Sequence, residues 1–253
     1  MKKILLSIAV IGAISALVTT ATVSYFSDTE TSSGNTFSAG SIDLKIDNQC
    51  HYYDGDCPQG SEWELTDLEN GVYKFFNFED IKPGAWGEDT VSLHVYNNDA
   101  WGWMKIFAID NDENGCTEPE GEVDTSCGDP GEGDGELAQN MNFLIWMDDG
   151  NNQYEAGEKK IYEGTLEDYL DDACVVWQLD GNPSSCNEVE PLQGSQTYYI
   201  GIKWCFGNFD SNYNCNGTSI GNEAQSDSLD MGVSFVVVQS QNNPNAEGGP
   251  TCQ

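Results

Sequence analysis

The densest set of side chains able to hold a metal lies in IWMDDGNNQYEAGEKKI, residues 145–161. Asp148, Asp149, Asn151, Asn152, Glu155 and Glu158 put six oxygen-bearing side chains into eleven residues, with Gly150 and Gly157 to let the backbone fold. Calcium takes about six to eight hard oxygen ligands, commonly from one short loop that ends in Glu. The spacing is not that of an EF-hand: a twelve-residue loop ending at Glu158 would begin at Met147 and has no glycine at its sixth position. Two readings stand, a calcium loop led by Asp148 and Glu158, or an Asx-rich hairpin connection between two strands.

Other catalytic chemistry finds little support. His51 and His94 are the only histidines, and neither belongs to an HExxH pattern that would put two zinc ligands and a general base on one helix face. There is no GxSxG elbow and no phosphate-cradling glycine loop. Carboxylate pairs abound, but in so acidic a chain they do not single out a glycosidase pair. These absences point away from an enzyme. WGWMKIF (101–107) offers either an aromatic rim for a ligand or packing inside a sandwich. Asn216-Gly217-Thr218 is a glycosylation sequon.

Charge narrows the partners further. The formal net charge is −34, with 43 acidic residues against 9 lysines and no arginine. Such a surface repels nucleic acid and anionic lipid and draws cations, as loose salt or as bound calcium. The nine cysteines fall as Cys50/Cys57, Cys116/Cys127, Cys174/Cys186 and Cys205/Cys215, with Cys252 left near the C-terminus. Each pair brackets a short loop rich in Gly, Asp, Asn or Pro, which in an exported protein reads as four local disulfides. Zinc is the competing reading, but no CxxC occurs. Cys252 is then a free thiol, an intermolecular bridge or an unpaired residue.

The elements that must carry these groups are strands. Ile42, Leu44 and Ile46 alternate with Asp43, Lys45 and Asp47, the period of a half-buried strand. Further strands are expected at Val72–Phe78, Val91–Val95, Trp103–Ile109, Asn142–Trp146, Thr197–Trp204 and Met231–Val238. Ile81-Lys82-Pro83-Gly84 marks a turn, and only Leu166–Ala173 looks helical. The pattern predicts an all-β fold, a jelly-roll-like β-sandwich with disulfide-pinned loop insertions over residues 41–241. The Gly-rich acidic stretch at 111–138 reads as a surface insertion, and 242–253 as a loop-like tail.

Ahead of this domain, Lys2 and Lys3 precede an apolar run from Ile4 to Val18, and Thr22-Val23-Ser24 supplies small residues for signal-peptidase cleavage between Ser24 and Tyr25. Residues 1–24 thus read as a cleavable signal helix of a secreted protein, with an uncleaved membrane anchor as the rival, because Ile4–Val23 is just long enough to span a bilayer.

Four stretches carry a resemblance to the TasA/camelysin family of exported fibre subunits, which use a SipW-type signal peptidase: YFSDTETSSGNTFSAGSIDL (25–44), NFEDIKPGAWGEDTVSLHVYNND (77–99), IWMDDGNNQYEAGE (145–158) and GNEAQSDSLDMGVSFVVVQSQNNPN (221–245). The cysteine-bearing loops are more similar to an archaeal bundling-pilus branch than to the bacterial biofilm proteins. The resemblance implies a jelly roll in which residues 25–40, freed by cleavage, donate a strand to the next subunit, with Tyr25, Phe26 and Phe37 as its apolar contacts. It implies a fibre or pilus in a biofilm matrix, with copies of this chain or related matrix subunits as partners and membrane contact only before cleavage. Two other functions remain: a camelysin-type secreted metallopeptidase, for which the histidines are missing, and a calcium-dependent surface adhesin.

Overall fold

The alternating segment that begins at Ile42 forms β1 (Ile42–Tyr52), which pairs antiparallel with β3 (Trp86–Asn97) so that Leu44 faces Val95 and Ile46 faces Leu93. In the computed structural model, which describes residues 41–53, 55–128, 135–183, 188–241, 243 and 249–252, this pair is the start of a six-stranded antiparallel sheet. The remaining strands of that sheet are β2 (Trp63–Thr66), β5 (Met141–Asp148), β6 (Lys159–Thr165) and β8 (Gln196–Phe206), in the order β2-β1-β3-β8-β5-β6. A three-stranded sheet is built from β4 (Ala100–Asp112), β7 (Cys174–Leu179) and β11 (Ser228–Gln239), in the order β11-β4-β7. A two-residue ribbon, β9 (Asn208–Phe209) with β10 (Cys215–Asn216), extends from β8.

The two larger sheets pack face to face, which makes the chain an all-β sandwich. Val91, Leu93, Ile200, Ile202 and Ile145 from one side meet Met104 and Ile106 from the other, all 2% exposed or less. Burying each such side chain stabilises the fold by roughly 1.5–3 kcal/mol. Two tryptophans take up the space left by glycines on the neighbouring strand. Gly87 lies opposite Trp204, and Gly201 lies opposite Trp146. A Cβ at Gly87 would come within 2.6 Å of the indole of Trp204, and one at Gly201 within 2.1 Å of that of Trp146. Each indole therefore lies over its cross-strand glycine.

The Ile81–Gly84 turn forms as its composition demands. The amide of Ala85 donates to the carbonyl of Lys82 at 2.7 Å, with Pro83 and then Gly84 (φ 91°) at the central positions, the pattern of a type II turn.

Three expectations are corrected. Val72–Phe78 forms no strand: its aromatic side chains are used as a plug, Phe75 against Trp63 and Phe235, Phe76 against Phe143, and Phe78 against Tyr52 and Trp204. Helix at Leu166–Ala173 reduces to one 3-10 turn, Glu167–Tyr169. The third concerns the cysteines. Cys50–Cys57, Cys116–Cys127 and Cys205–Cys215 are joined as their spacing suggests, but Cys174 pairs with Cys252 rather than Cys186. Cys174 opens β7 in the interior of the fold, where the returning C-terminal segment can reach it, and Cys186 lies outside the described residues. Four disulfides fit an oxidising, extracellular compartment. The signal segment, the Ser24/Tyr25 junction and the donor residues Tyr25, Phe26 and Phe37 also lie outside the described residues. Among the described residues no helix is long and apolar enough to cross a membrane.

Candidate functional site

Loop 148–158 connects β5 to β6, and its acceptors are turned inward on its own backbone. Asp148 Oδ1 accepts from the indole N–H of Trp146 at 3.0 Å, and its Oδ2 accepts from the amides of Gly150 (2.7 Å) and Asn152 (3.1 Å). Asp149 Oδ1 accepts from the amide of Asn151 at 3.2 Å, and Asn151 Oδ1 from that of Gln153 at 2.8 Å. Glu158 closes the loop, accepting from the amides of Asp149 (3.1 Å) and Glu155 (2.7 Å) with its two oxygens. These are Asx turns, with Gly150 and Asn152 at positive φ.

The fold brings Asp148, Asp149 and Glu158 together, each with an oxygen within 4.8 Å of the others, while Glu155 is exposed and Asn151 is spent on its turn. Asn152 Oδ1 is buried without a partner. Burial pushes the Glu158 carboxyl up, against the two amides that hold it down. All four oxygens of Asp148 and Glu158 already accept a hydrogen bond, and only Asn152 Oδ1 among the buried acceptors of the loop is left over; calcium here would share acceptors that are already in use.

The histidines stay apart. His94 pairs with Lys45 and His51 with Glu88 on the same two strands, six residues along, which separates them by about 20 Å. Both ring nitrogens of His94 are engaged, Nε2 with Asp47 Oδ2 at 2.9 Å and Nδ1 with Thr197 Oγ1 at 3.1 Å, and His51 packs against Trp86. The fold does not bring them together as ligands of one metal. Trp101 and Trp103 are buried: the indole of Trp101 donates to the carbonyl of Asn243 at 2.6 Å, and Gly249 lies against Trp103. Asn216 is exposed, and its Oδ1 accepts from the amide and hydroxyl of Thr218 at 2.9 and 2.7 Å.

The second feature is main-chain rather than side-chain. β11 runs for twelve residues as SLDMGVSFVVVQ and pairs with β4 on one side, from Ser228 opposite Asp112 to Gln239 opposite Ala100. Among the described residues no strand lies on its other side. Its apolar side chains, including Val233, Phe235 and Val237, are half-buried against the core. At its N-terminal end a groove of about 670 Å³ opens between the sheets, lined by Phe76, Phe78, Phe143, Trp204, Phe206 and Met231. Asp230 is exposed and sits at a bulge before Gly232, but from Met231 to Gln239 the strand carries no charge, and an unpaired apolar edge of this kind is a template for another strand. The spacing of Met231 to Val238 marked the strand, but no pattern in it says that one edge stays open.

Compared with protein-family models and with curated proteins, the chain matches neither.

Proposed function

We propose that this protein is an exported structural subunit that assembles into an extracellular fibre, its N-terminal segment completing the open edge of β11 in the next copy. The observation that carries the reading is that edge. Twelve residues, four of them valine and one phenylalanine, pair on one side, beside a groove that has an aromatic floor, and a strand added there gains a ladder of backbone hydrogen bonds. The occupant is residues 25–40, with Phe26 and Phe37 as the side chains that enter apolar sites and Tyr25 at the new terminus. The Val72–Phe78 plug covers the side-chain face near Phe235 but makes no strand pairing, so it leaves the main-chain groups of the edge to the donor. A signal peptidase acting between Ser24 and Tyr25 would hold assembly back until export. The jelly-roll topology, the biofilm-matrix setting and the kinship with TasA-type fibres belong to this same proposal.

Removing residues 25–38 tests it. The shortened protein is expected to fold, with the same β signature by circular dichroism, and to remain monomeric where the cleaved chain polymerises. Filaments of ordinary appearance from the deletion, seen by electron microscopy, would sink the reading.

A further inference from the structure

The acidic insertion does not spread over the surface; part of it folds inward. Glu113 follows β4, Glu120 opens the 3-10 turn Glu120–Glu122 and Asp124 lies just past it, Glu136 precedes the helical turn Leu137–Asn140, and Asp227 immediately precedes β11. Glu113, Glu120 and Asp227 each have an oxygen within 4.8 Å of the other two, and so do Glu113, Asp124 and Glu136. Glu113 is common to both sets, so five carboxylates from four separate points of the chain surround one small volume.

Three of these groups are buried as well as close, and Glu136 and Asp227 are half-buried. Glu113 is 3% exposed, Glu120 0% and Asp124 8%. One oxygen of each is locked from outside the cluster: Glu113 Oε1 accepts from the amide of Gly115 at 3.0 Å, Glu120 Oε2 from the amide of Thr117 (2.8 Å) and the hydroxyl of Ser226 (3.0 Å), and Asp124 Oδ1 from the amide and hydroxyl of Ser126. The second oxygen of each, together with Glu136 Oε2 and Asp227 Oδ1, is buried with no hydrogen-bond partner. This contrasts with loop 148–158, where both oxygens of Asp148 and of Glu158 are taken by N–H groups.

Among the described residues no cation answers these charges. The chain has no arginine, and its seven lysines beyond residue 40 are engaged with Asp67, Asn77, Asp80, the carbonyl of Thr251, Asp180, Glu163 and Glu88. Burial, reinforced by the neighbouring carboxylates, pushes both Glu136 and Asp227 up to about 7. Burying one uncompensated carboxylate is costly, and burying several against each other more so.

We propose that this cage is a calcium-binding site, with Glu113 as its shared ligand and Glu120, Asp124, Glu136 and Asp227 around it. The chemistry selects the ion. Every donor is a hard carboxylate oxygen, which suits calcium and disfavours the softer metals, and several independent chain segments allow the flexible coordination calcium accepts and magnesium does not. Cys116 and Cys127 lie beside Glu120, but they are joined as a disulfide and offer no thiolate. That disulfide instead closes the loop that supplies Glu120 and Asp124. Asn111 fixes the loop's return, accepting from the amide of Ala138 at 2.9 Å and donating to the carbonyl of Gly135. With calcium bound, the insertion between β4 and β5 is tied to the first residue before β11, the strand whose edge is open. The site does not depend on the fibre reading.

The test is thermal unfolding of the purified protein in excess chelator and in millimolar CaCl2, with calcium measured directly by equilibrium dialysis. Calcium is expected to raise the melting temperature by about 5 °C or more, as any ligand that binds only the native state does. Glu113→Gln combined with Asp227→Asn should abolish that rise and most of the bound calcium. In chelator this variant should melt at or above the unaltered protein, since it removes repulsion, and so its lost response cannot be put down to misfolding. Asp149→Asn, in the β5–β6 hairpin, should keep the response. Absence of any calcium effect would overturn the proposal, as would a response that survives in the cage variant and disappears in Asp149→Asn.

Discussion

Asp89 stands in the middle of β3 with no exposure at all, holding one hydrogen bond, from Asn48 Nδ2 to Oδ1 at 2.8 Å, while Oδ2 has no partner. Burial pushes its carboxyl up to about 8, aided by the nearby charges of Glu88 and Glu62 and opposed by Asn48. A carboxyl raised in the fold holds its proton more tightly there than in the unfolded chain. Its contribution to stability is therefore complete below the ordinary carboxylate range and is lost as pH rises through about 8. Asp89→Asn keeps the acceptor and removes the charge, so it is expected to raise stability at pH 9 by about 1–3 kcal/mol and to leave it little changed at pH 4. Urea unfolding at the two pH values measures this; an equal effect at both would show that Asp89 does not titrate in the fold. Asp180 is the opposite case. It is as deeply buried, yet Lys159 and the amides of Glu190 and Asn182 hold its carboxyl down against burial. Its stabilisation is present above the ordinary carboxylate range and lost as pH falls. Nothing in the two local sequences, Glu88-Asp89-Thr90 and Leu179-Asp180-Gly181, separates these fates; they depend on which neighbours the fold supplies.

Among elements, the link between β7 and the C-terminal segment has the clearest consequence. Cys174–Cys252 closes a separation of 78 residues, whereas Cys50–Cys57 closes 7. In the chain-entropy account the long closure restricts the unfolded state more, so Cys252→Ser is expected to cost about 4.5 kcal/mol and Cys57→Ser about 2.5 kcal/mol, while Cys186→Ser should leave the Cys174 bridge intact. Denaturant midpoints and non-reducing peptide mapping check both statements. The short loops of Cys50, Cys116 and Cys205 were legible because a local disulfide leaves its mark in local spacing. The Cys174 pairing was not, because only the sandwich brings residue 252 back to the start of β7. Val72–Phe78 failed as a strand for a related reason: alternating aromatic residues signal a half-buried extended segment, but a strand also needs a neighbour with free N–H and C=O groups, and this one spends its side chains filling a gap instead.

At the scale of the molecule, the sandwich is lopsided, with six strands facing three and β11 at an uncovered edge among the described residues. If residues 25–40 of a second copy complete that edge, the same segment supplied as a free peptide should do so too. A synthetic 25–40 peptide is expected to bind the protein lacking residues 25–38 at one to one, to raise its melting temperature, and to protect β11 amides from hydrogen exchange. A scrambled peptide should do none of these, and protection confined to β6 or β7 instead would relocate the acceptor. The formal charge of −34 makes copies repel one another, so assembly should also quicken as salt screens that repulsion.

By itself, the sequence determined the all-β character, most of the long strands, the Ile81–Gly84 turn and the short disulfides. All of these rest on contacts between residues close in the chain or on a strict alternation along it. The tertiary structure decided what depends on distant segments meeting: which strands end at the sheet edges, which cysteine reaches Cys174, and which carboxylates cluster. The densest acidic run, 148–158, stands out because its residues are neighbours in sequence, yet the oxygens of Asp148 and Glu158 are all taken by nearby N–H groups. The caged carboxylates with unpartnered oxygens come from positions 113 to 227: four lie in the acidic stretch 111–138, but that they turn inward, and that Asp227 joins them, only the fold decides.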